Sequence, residues 1–300
     1  MLQSSFLDVE YSGIKKFTSM FLLQARNGEA AIVDTGTPHS FPLIQKFLKL
    51  KGVGKDQLTK ILLTHSHLDH SGNISLFTQH YPNIKIYLHP LTAKVMRNPT
   101  FLIQRMKDSM KSKYYNEFLD QVRPISDKFL FTTCNNMSIK LGGEDIIKVV
   151  NTPGHSKDHI SFFDLSSKTL YSGDGIGQCY KDISPNVSIF SFPPLSDPFS
   201  APLTIHKVRE LNPVRFGLGH FGYVENAKKH IDQCEEFITK YMKILKSPAN
   251  AQKALESIYD KSFYPGCTKT IRKLRGHMKV NYLGILYALH PEDFLDAFDF

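Results

Sequence analysis

Two periodicities alternate along this chain. Near its start, "SMFLLQA" and "AAIVDTG" are apolar runs of strand length joined by "RNGE", whose Asn-Gly pair is a hairpin signal. "HSFPLIQKFLKLKG" then places apolar residues at helical spacing and closes on a glycine, and "TKILLTH" reads as a buried strand. A helix over about 72–81, the strand "NIKIYLH" and a polar helical stretch over about 100–121 follow. Strand signals return at "NMSIKLGG", "DIIKVVNTPGH", "HISFFD" and "KTLYSGD", each closed by a turn. Beyond a proline-rich loop at 184–202 come a helix near 200–211 and a last strand, "VRFGLGH". From Val224 onward the pattern is helical only, over 224–246, 249–259 and 269–289. The last of these carries Ile271, Leu274, Met278, Tyr282, Ile285, Leu286 and Leu289 on one face. Two strand-rich halves with helices, then a helical tail, predict a two-sheet α/β sandwich with a C-terminal helical extension. The expected division is a catalytic domain over 1–222 and a helical region over 223–300.

Composition fits that picture and narrows it. A chain of 300 residues, 41% hydrophobic, has material for one large domain and an appendage. No apolar run approaches the roughly 18–20 residues of a membrane span, and the first residues lack a basic head followed by an apolar segment. A cytoplasmic protein without a membrane partner is expected. Cys134, Cys179, Cys234 and Cys267 are far apart and form no C-x-x-C pair, so buried free thiols are expected rather than disulfides or a cysteine metal site. The net charge of +9 is uneven: between Lys240 and Lys279 ten basic side chains face only Glu256 and Asp260. Such a stretch either meets phosphates or forms a solvated helical face, and the lack of interleaved aromatics favours the face.

Candidate chemistry sits where strands end. His65, His67, Asp69 and His70 follow "KILLT"; His155 follows "VVNTPG", Asp174 follows "TLYSG" and His220 follows "RFGLG". In a layered α/β fold such loops gather at one edge of the sheets. Five histidines and two aspartates form a donor inventory for two borderline divalent ions, with zinc the default and iron or manganese suited to the same nitrogen and oxygen donors.

Taken in order, "VDTG" at 33–36, "HSHLDH" at 65–70, "TPGHS" at 152–156, "SGD" at 172–174 and "GLGH" at 217–220 resemble the metallo-β-lactamase superfamily. The resemblance spans about 17–222 and implies the four-layer αββα sandwich of that family. Carried over position by position, it implies that His65, His67 and His155 hold a first metal ion, that Asp69, His70 and His220 hold a second, and that Asp174 bridges them. It makes Asp34 a buried carboxylate steadying the histidine loop. His159, four residues after His155, matches a histidine that similar enzymes often carry without using it as a ligand. The implied chemistry is hydrolysis: two ions share a water, lower its pKa to about 7 and present hydroxide to an electrophilic centre. Asp69 takes and returns the proton in this scheme, and Asp69 and Asp174 are its catalytic carboxylates.

Departures from subfamily patterns sort the substrates. Broad-class zinc β-lactamases usually have cysteine where Asp174 stands, and they need an export signal. Glyoxalase II shares the ligands and a helical C-terminus, yet its glutathione-binding segment is not matched by "GDGIGQCYKDISP". In that stretch Cys179, Tyr180 and Lys181 are either substrate contacts or structural residues. The lactonase helper tyrosine would be Gly177. Oxygen-reducing flavodiiron relatives carry a glutamate at the position of His67 and an added flavodoxin domain. The expected substrate is a small-molecule ester, thioester or lactone. The rival is a phosphodiester, with the basic C-terminal helices holding nucleic acid as in small lactamase-like endoribonucleases. Phe190, Phe192 and Phe199 either form an apolar wall over the site or pin their long loop to the domain.

Overall fold

The computed structural model describes residues 1–11, 14–109, 119–180, 188–247, 251–258 and 268–289, the last segment with side chains from 278 onward. Expectations that lie outside the described residues are the 110–118 part of the polar helix, Lys181 and the loop through 187, positions 249, 250 and 259 of the helix expected at 249–259, Cys267, the side chains of Ile271 and Leu274, and, in the basic stretch, Asp260, Lys261 and the side chains of Lys269, Arg272, Lys273 and Arg275.

Twelve described strands form two six-stranded mixed sheets. The first runs β1 (Gln3–Asp8), β2 (Ser19–Gln24), β3 (Ala30–Val33), β4 (Leu58–Leu62), β5 (Lys85–Leu88) and β6 (Leu130–Thr132), in chain order across the sheet. The second is ordered β12 (Gly222–Val224), β11 (Arg215–Leu218), β10 (Thr169–Gly173), β9 (Ile160–Asp164), β8 (Asp145–Asn151) and β7 (Ser138–Leu141). The predicted hairpin is present, with β2 antiparallel to β3, while β3, β4, β5 and β6 run parallel.

Why several strands read as unbroken apolar runs is visible in where successive side chains go. Along β2, Met20 and Leu22 enter one cluster with the outer helices, while Phe21 and Leu23 enter a second cluster between the sheets. β3 does the same with Ala30 and Ile32 against Ala31 and Val33, as does β9 with Phe163 against Ile160 and Phe162. Period-two alternation on a sheet covered on both faces leaves no polar side. Burying each large side chain of this kind contributes about 1.5–3 kcal/mol.

The outer face of the first sheet is covered by α1 (Phe41–Leu50), α3 (Ile74–His80), α4 (Pro90–Arg97) and α5 (Thr100–Ser109). That of the second is covered by α6 (Ala201–Leu211), α7 (Ala227–Lys246), α8 (Ala251–Ile258) and α9 (Thr268–Leu289). The result is helices, sheet, sheet, helices: an α/β sandwich with a helical C-terminal region. Among the described residues no helix is long and apolar enough to cross a membrane.

Several elements differ from the sequence reading. The helix expected at 72–81 starts earlier and breaks: α2 (Leu68–Ser71) carries Asp69 and His70, and α3 begins at Ile74. Gly72 makes the break tight, since a Cβ there would lie 2.5 Å from the Leu68 carbonyl oxygen. The helix expected from 224 begins at Ala227, because 222–224 pairs with β11. Strands β1, β6 and β12 and helix α4 were not expected, although α4 has a readable start in His89, which caps Leu91, followed by Pro90 at the first turn. Cys179 and Cys234 are buried thiols as expected, but Cys134 is exposed.

Candidate metal centre

The strand ends do meet. His65 lies just beyond β4 and His67 leads into α2, which turns Asp69 and His70 toward the opposite sheet. β8 runs out into the turn carrying His155, and the parallel pair β10 and β11 delivers Asp174 and His220 side by side. All seven residues expected from the sequence fall in one cluster. Donor atoms of His65, His67 and His155 lie within 4.8 Å of one another, as do those of Asp69, His70 and His220, and those of His65, His70 and Asp174.

In the first group, His67 Nδ1 stands 3.0 Å from His65 Nε2 and 2.9 Å from His155 Nε2. In the second, His220 Nε2 lies 3.3 Å from Asp69 Oδ2 and 3.4 Å from Asp174 Oδ1, and His70 Nε2 lies 3.5 Å from each carboxylate. Asp174 spans the groups, its Oδ2 being 3.4 Å from His155 Nε2. His65, His70, His155, Asp174 and His220 are buried, whereas His67 and Asp69 are half-exposed and form the mouth.

Each buried imidazole is held by its other nitrogen, and this fixes which atom faces inward. His70 Nδ1 donates to Asp34 Oδ2 at 2.8 Å, His155 Nδ1 to the Ser191 carbonyl at 2.8 Å and His220 Nδ1 to the Phe17 carbonyl at 2.6 Å. Thr64 donates to Asp34 through its backbone N–H, at 2.9 Å, and through its hydroxyl, at 3.0 Å. His65 Nδ1 therefore donates to Thr64 Oγ1, 3.0 Å away. One carboxylate, Asp34, thus orients both His65 and His70. With their Nδ1 protons committed, the rings turn Nε2 toward one another, and an ion would take the Nε2 lone pairs of His70 and His220 by displacing the protons that the neighbouring carboxylates favour there.

Such an array is unfavourable without a cation. His70 Nε2 and Asp174 Oδ1 are buried with no hydrogen-bond partner, a situation native interiors rarely leave uncompensated. Burial and the surrounding imidazoles hold His65 well below the ordinary histidine range. Burial also pulls on His220, but Asp174 and Asp69 outweigh it and lift that imidazole to about 9. Asp174 is opposed by burial too, yet His220, His70 and His155 together hold it well below the carboxylate range. Closely spaced imidazole nitrogens beside two ionised carboxylates are the donor set that borderline divalent ions select, so the residues fit a metal pair.

Backbone and neighbours complete the frame. Gly219 is required by approach: a Cβ there would stand 2.6 Å from His70 Cε1 and 2.8 Å from Asp174 Oδ1. His159 lies behind the cluster, its Nε2 accepting from the Asp174 backbone N–H at 3.1 Å and its Nδ1 2.9 Å from Thr152 Oγ1. Burial pushes it down to about 3, so it stays neutral. Gln178, which sequence reasoning did not single out, donates to Asp174 Oδ2 at 3.0 Å and accepts from the Tyr180 hydroxyl at 3.1 Å. Asp158 was also missed; it accepts from Ser66 N–H at 3.0 Å and from the Thr92 hydroxyl at 2.8 Å, tying the histidine loop to α4. A charge at 158 was readable in "GHSKDH"; the Phe17 and Ser191 carbonyls were not, because a backbone acceptor has no side-chain signature. Cys179 and Tyr180 are buried, and so are Phe190 and Phe192, which stack with ring centroids 4.6 Å apart. Those two rings pin their loop to the core, while Phe199 is 63% exposed.

Fold and site together define an α/β sandwich with a histidine- and aspartate-rich centre at one edge of its two sheets. The chain belongs to the metallo-beta-lactamase superfamily, whose family model matches residues 14–220. It is 24% identical over 226 residues to a beta-lactamase-like protein 2 homolog of Caenorhabditis elegans, covering 75% of this chain and 62% of that one. It is 26% identical over 161 residues to an atrochrysone carboxyl ACP thioesterase of Pseudocercospora fijiensis, covering 53% and 37%. The matched region therefore spans less than two thirds of the length of each of these relatives. Among solved structures, an archaeal superfamily member from Sulfolobus tokodaii superposes with a TM-score of 0.68 at 18% identity, over 95% of this chain and 98% of that one.

Proposed function

We propose that the protein is a metal-dependent hydrolase that uses two divalent ions, zinc by default, to cleave an ester, thioester or lactone carbonyl of a small molecule. The observation that carries this reading is the convergence of buried imidazole nitrogens on Asp174, with His67 and Asp69 partly exposed at the mouth. His65, His67 and His155 would hold one ion, Asp69, His70 and His220 the other, and Asp174 would serve both. Ions held there supply Lewis acidity, polarising a carbonyl and making water acidic near neutral pH.

What the chain's own groups do follows from their placement. Asp34 and Thr64 keep His65 and His70 in the required tautomer; the carbonyls of Ser191 and Phe17 do the same for His155 and His220. Asp69 is the half-exposed carboxylate of the cluster, and it stays ionised: burial would raise it, but His70 and His220 hold it well below its usual range. Its position at the mouth suits its carboxylate to accept the proton of an attacking water and return it to the leaving group. A relative named as an acyl-carrier thioesterase supports the choice of a carbonyl substrate.

The test is a side-by-side assay of metal-quantified protein on S-lactoylglutathione, other acyl thioesters, a lactone panel and labelled single-stranded RNA, each with a chelated control. Chelator-sensitive turnover of carbonyl substrates is expected. Cleavage of RNA alone would overturn the carbonyl assignment and give the basic C-terminal stretch the substrate-binding role.

A further inference from the structure

The carbonyl that orients His155 is itself held in place from the far end of the chain. Ser191 sits between Phe190 and Phe192, and the buried side chain of Asn281, on α9, clasps the peptides on either side of it. Asn281 Oδ1 accepts from the Phe192 N–H at 2.8 Å and Asn281 Nδ2 donates to the Phe190 carbonyl at 3.1 Å. On the other side of the segment, Ile189 pairs with Gln178 through backbone bonds of 2.7 and 2.8 Å. Bracketed in this way, the Ser191 carbonyl has one direction left, and it accepts from His155 Nδ1 at 2.8 Å.

The helix is set against this loop at backbone contact. A Cβ on Gly284, one turn after Asn281, would fall 1.9 Å from the Phe192 carbonyl oxygen, so no other residue fits there without moving the helix. Tyr241 on α7 closes the arrangement: its hydroxyl donates to the Asn281 carbonyl at 3.2 Å, and its ring lies against Phe192 with centroids 4.5 Å apart. Asn281 and Gly284 lie well beyond residue 220, where the family match ends.

We infer that Asn281 is a positioning residue for the metal centre: by fixing the Ser191 carbonyl it holds His155 with Nδ1 protonated and Nε2 turned toward the first group of donors. The C-terminal helix is then part of the metal site's support. Groups that orient a ligand from behind are worth about 10–100-fold in metal affinity. This inference rests on the proposal that His155 is a ligand of the first ion.

The test measures zinc affinity at both sites by competition with calibrated chelators in the full-length protein, comparing the parent with His155→Ala, Asn281→Ala, Asn281→Asp and Tyr241→Phe. Asn281→Ala should weaken the first site about 10–100-fold and leave the second within about threefold. Asn281→Asp keeps the acceptor for the Phe192 N–H and loses the donor, so it should fall between parent and alanine, and it serves if the alanine variant does not fold. Tyr241→Phe loosens the same helix without touching the clasp: a lower melting temperature with both affinities unchanged is expected. Two results overturn the inference: folded Asn281 variants with parental affinity at both sites, or Tyr241→Phe weakening the first site as much as they do. Unchanged first-site affinity in His155→Ala would instead remove the ligand assignment on which the inference stands.

Discussion

Replacing Asp34 by asparagine asks whether one buried carboxylate governs two of the proposed ligands, His65 and His70. In the native site Asp34 accepts three kinds of proton: Thr64 N–H at 2.9 Å, the Thr64 hydroxyl at 3.0 Å and His70 Nδ1–H at 2.8 Å. An amide keeps a single acceptor oxygen. If that oxygen stays with the Thr64 N–H, the NH2 group faces His70 Nδ1, and the ring avoids a donor–donor clash by moving its proton to Nε2. Nε2 stands 3.5 Å from both Asp69 and Asp174, and a proton held there occupies the lone pair that a metal needs. Losing charge-assisted bonds in this buried place costs about 1.5–3 kcal/mol of stability. Metal affinity at the Asp69, His70 and His220 site should fall about 10–100-fold. Zinc titration against calibrated chelators reads the affinity, and thermal melting of the metal-free protein reads the stability. A folded Asp34→Asn protein binding both ions within about threefold of the parent would refute the tautomer argument.

Asp174→Ala removes the residue that faces both donor groups, so metal content measured by elemental analysis should drop from about two ions toward one, with hydrolysis abolished. Gly219→Ala inserts a methyl group 2.6 Å from His70 Cε1; melting should report a loss of about 1–3 kcal/mol, and equilibrium dialysis a weaker second site. In the metal-free protein burial lowers His220, but Asp174 and Asp69 raise it to about 9, so a proton must leave when an ion binds. Zinc affinity should therefore rise at least about tenfold per pH unit between pH 7 and 8, and a flat profile would contradict it. The same shift has a sign for the metal-free fold: His220 adds up to about 3 kcal/mol, present below the unfolded value near 6.5 and lost as pH rises through about 9. Urea melts across that range check it.

How much of this was legible in the sequence depends on what kind of atom does the work. The seven cluster residues are side chains with distinctive chemistry, placed directly after apolar runs, and the chain announced them individually. That residues as distant as His65 and His220 meet followed only from the order of the motifs, because nothing local in "GLGH" encodes a parallel pairing of β10 with β11. The strands missed were short or marginal: β6 and β12 have three residues each, and β1 is half-exposed, so none carries enough apolar periodicity to register. Phe190 and Phe192 illustrate a true ambiguity, since aromatic side chains in a proline-rich loop read the same whether they line a pocket or fill a core.

The orienting groups were the least legible, and the reason is physical. Metal-facing nitrogens are useful only if the opposite nitrogen is engaged, and three of the acceptors used here are a threonine hydroxyl and two backbone carbonyls, at Thr64, Phe17 and Ser191. Any residue type supplies a carbonyl, so selection acts instead on whatever holds that peptide in place: the segment before β2 for Phe17, and the clasp from α9 for Ser191. Parts of the chain with no residue in the cluster would thereby become necessary to the proposed centre. On this argument, the tolerance of the C-terminal helix to substitution should be lowest at Asn281 and Gly284, where it touches the loop behind His155, rather than along its basic residues.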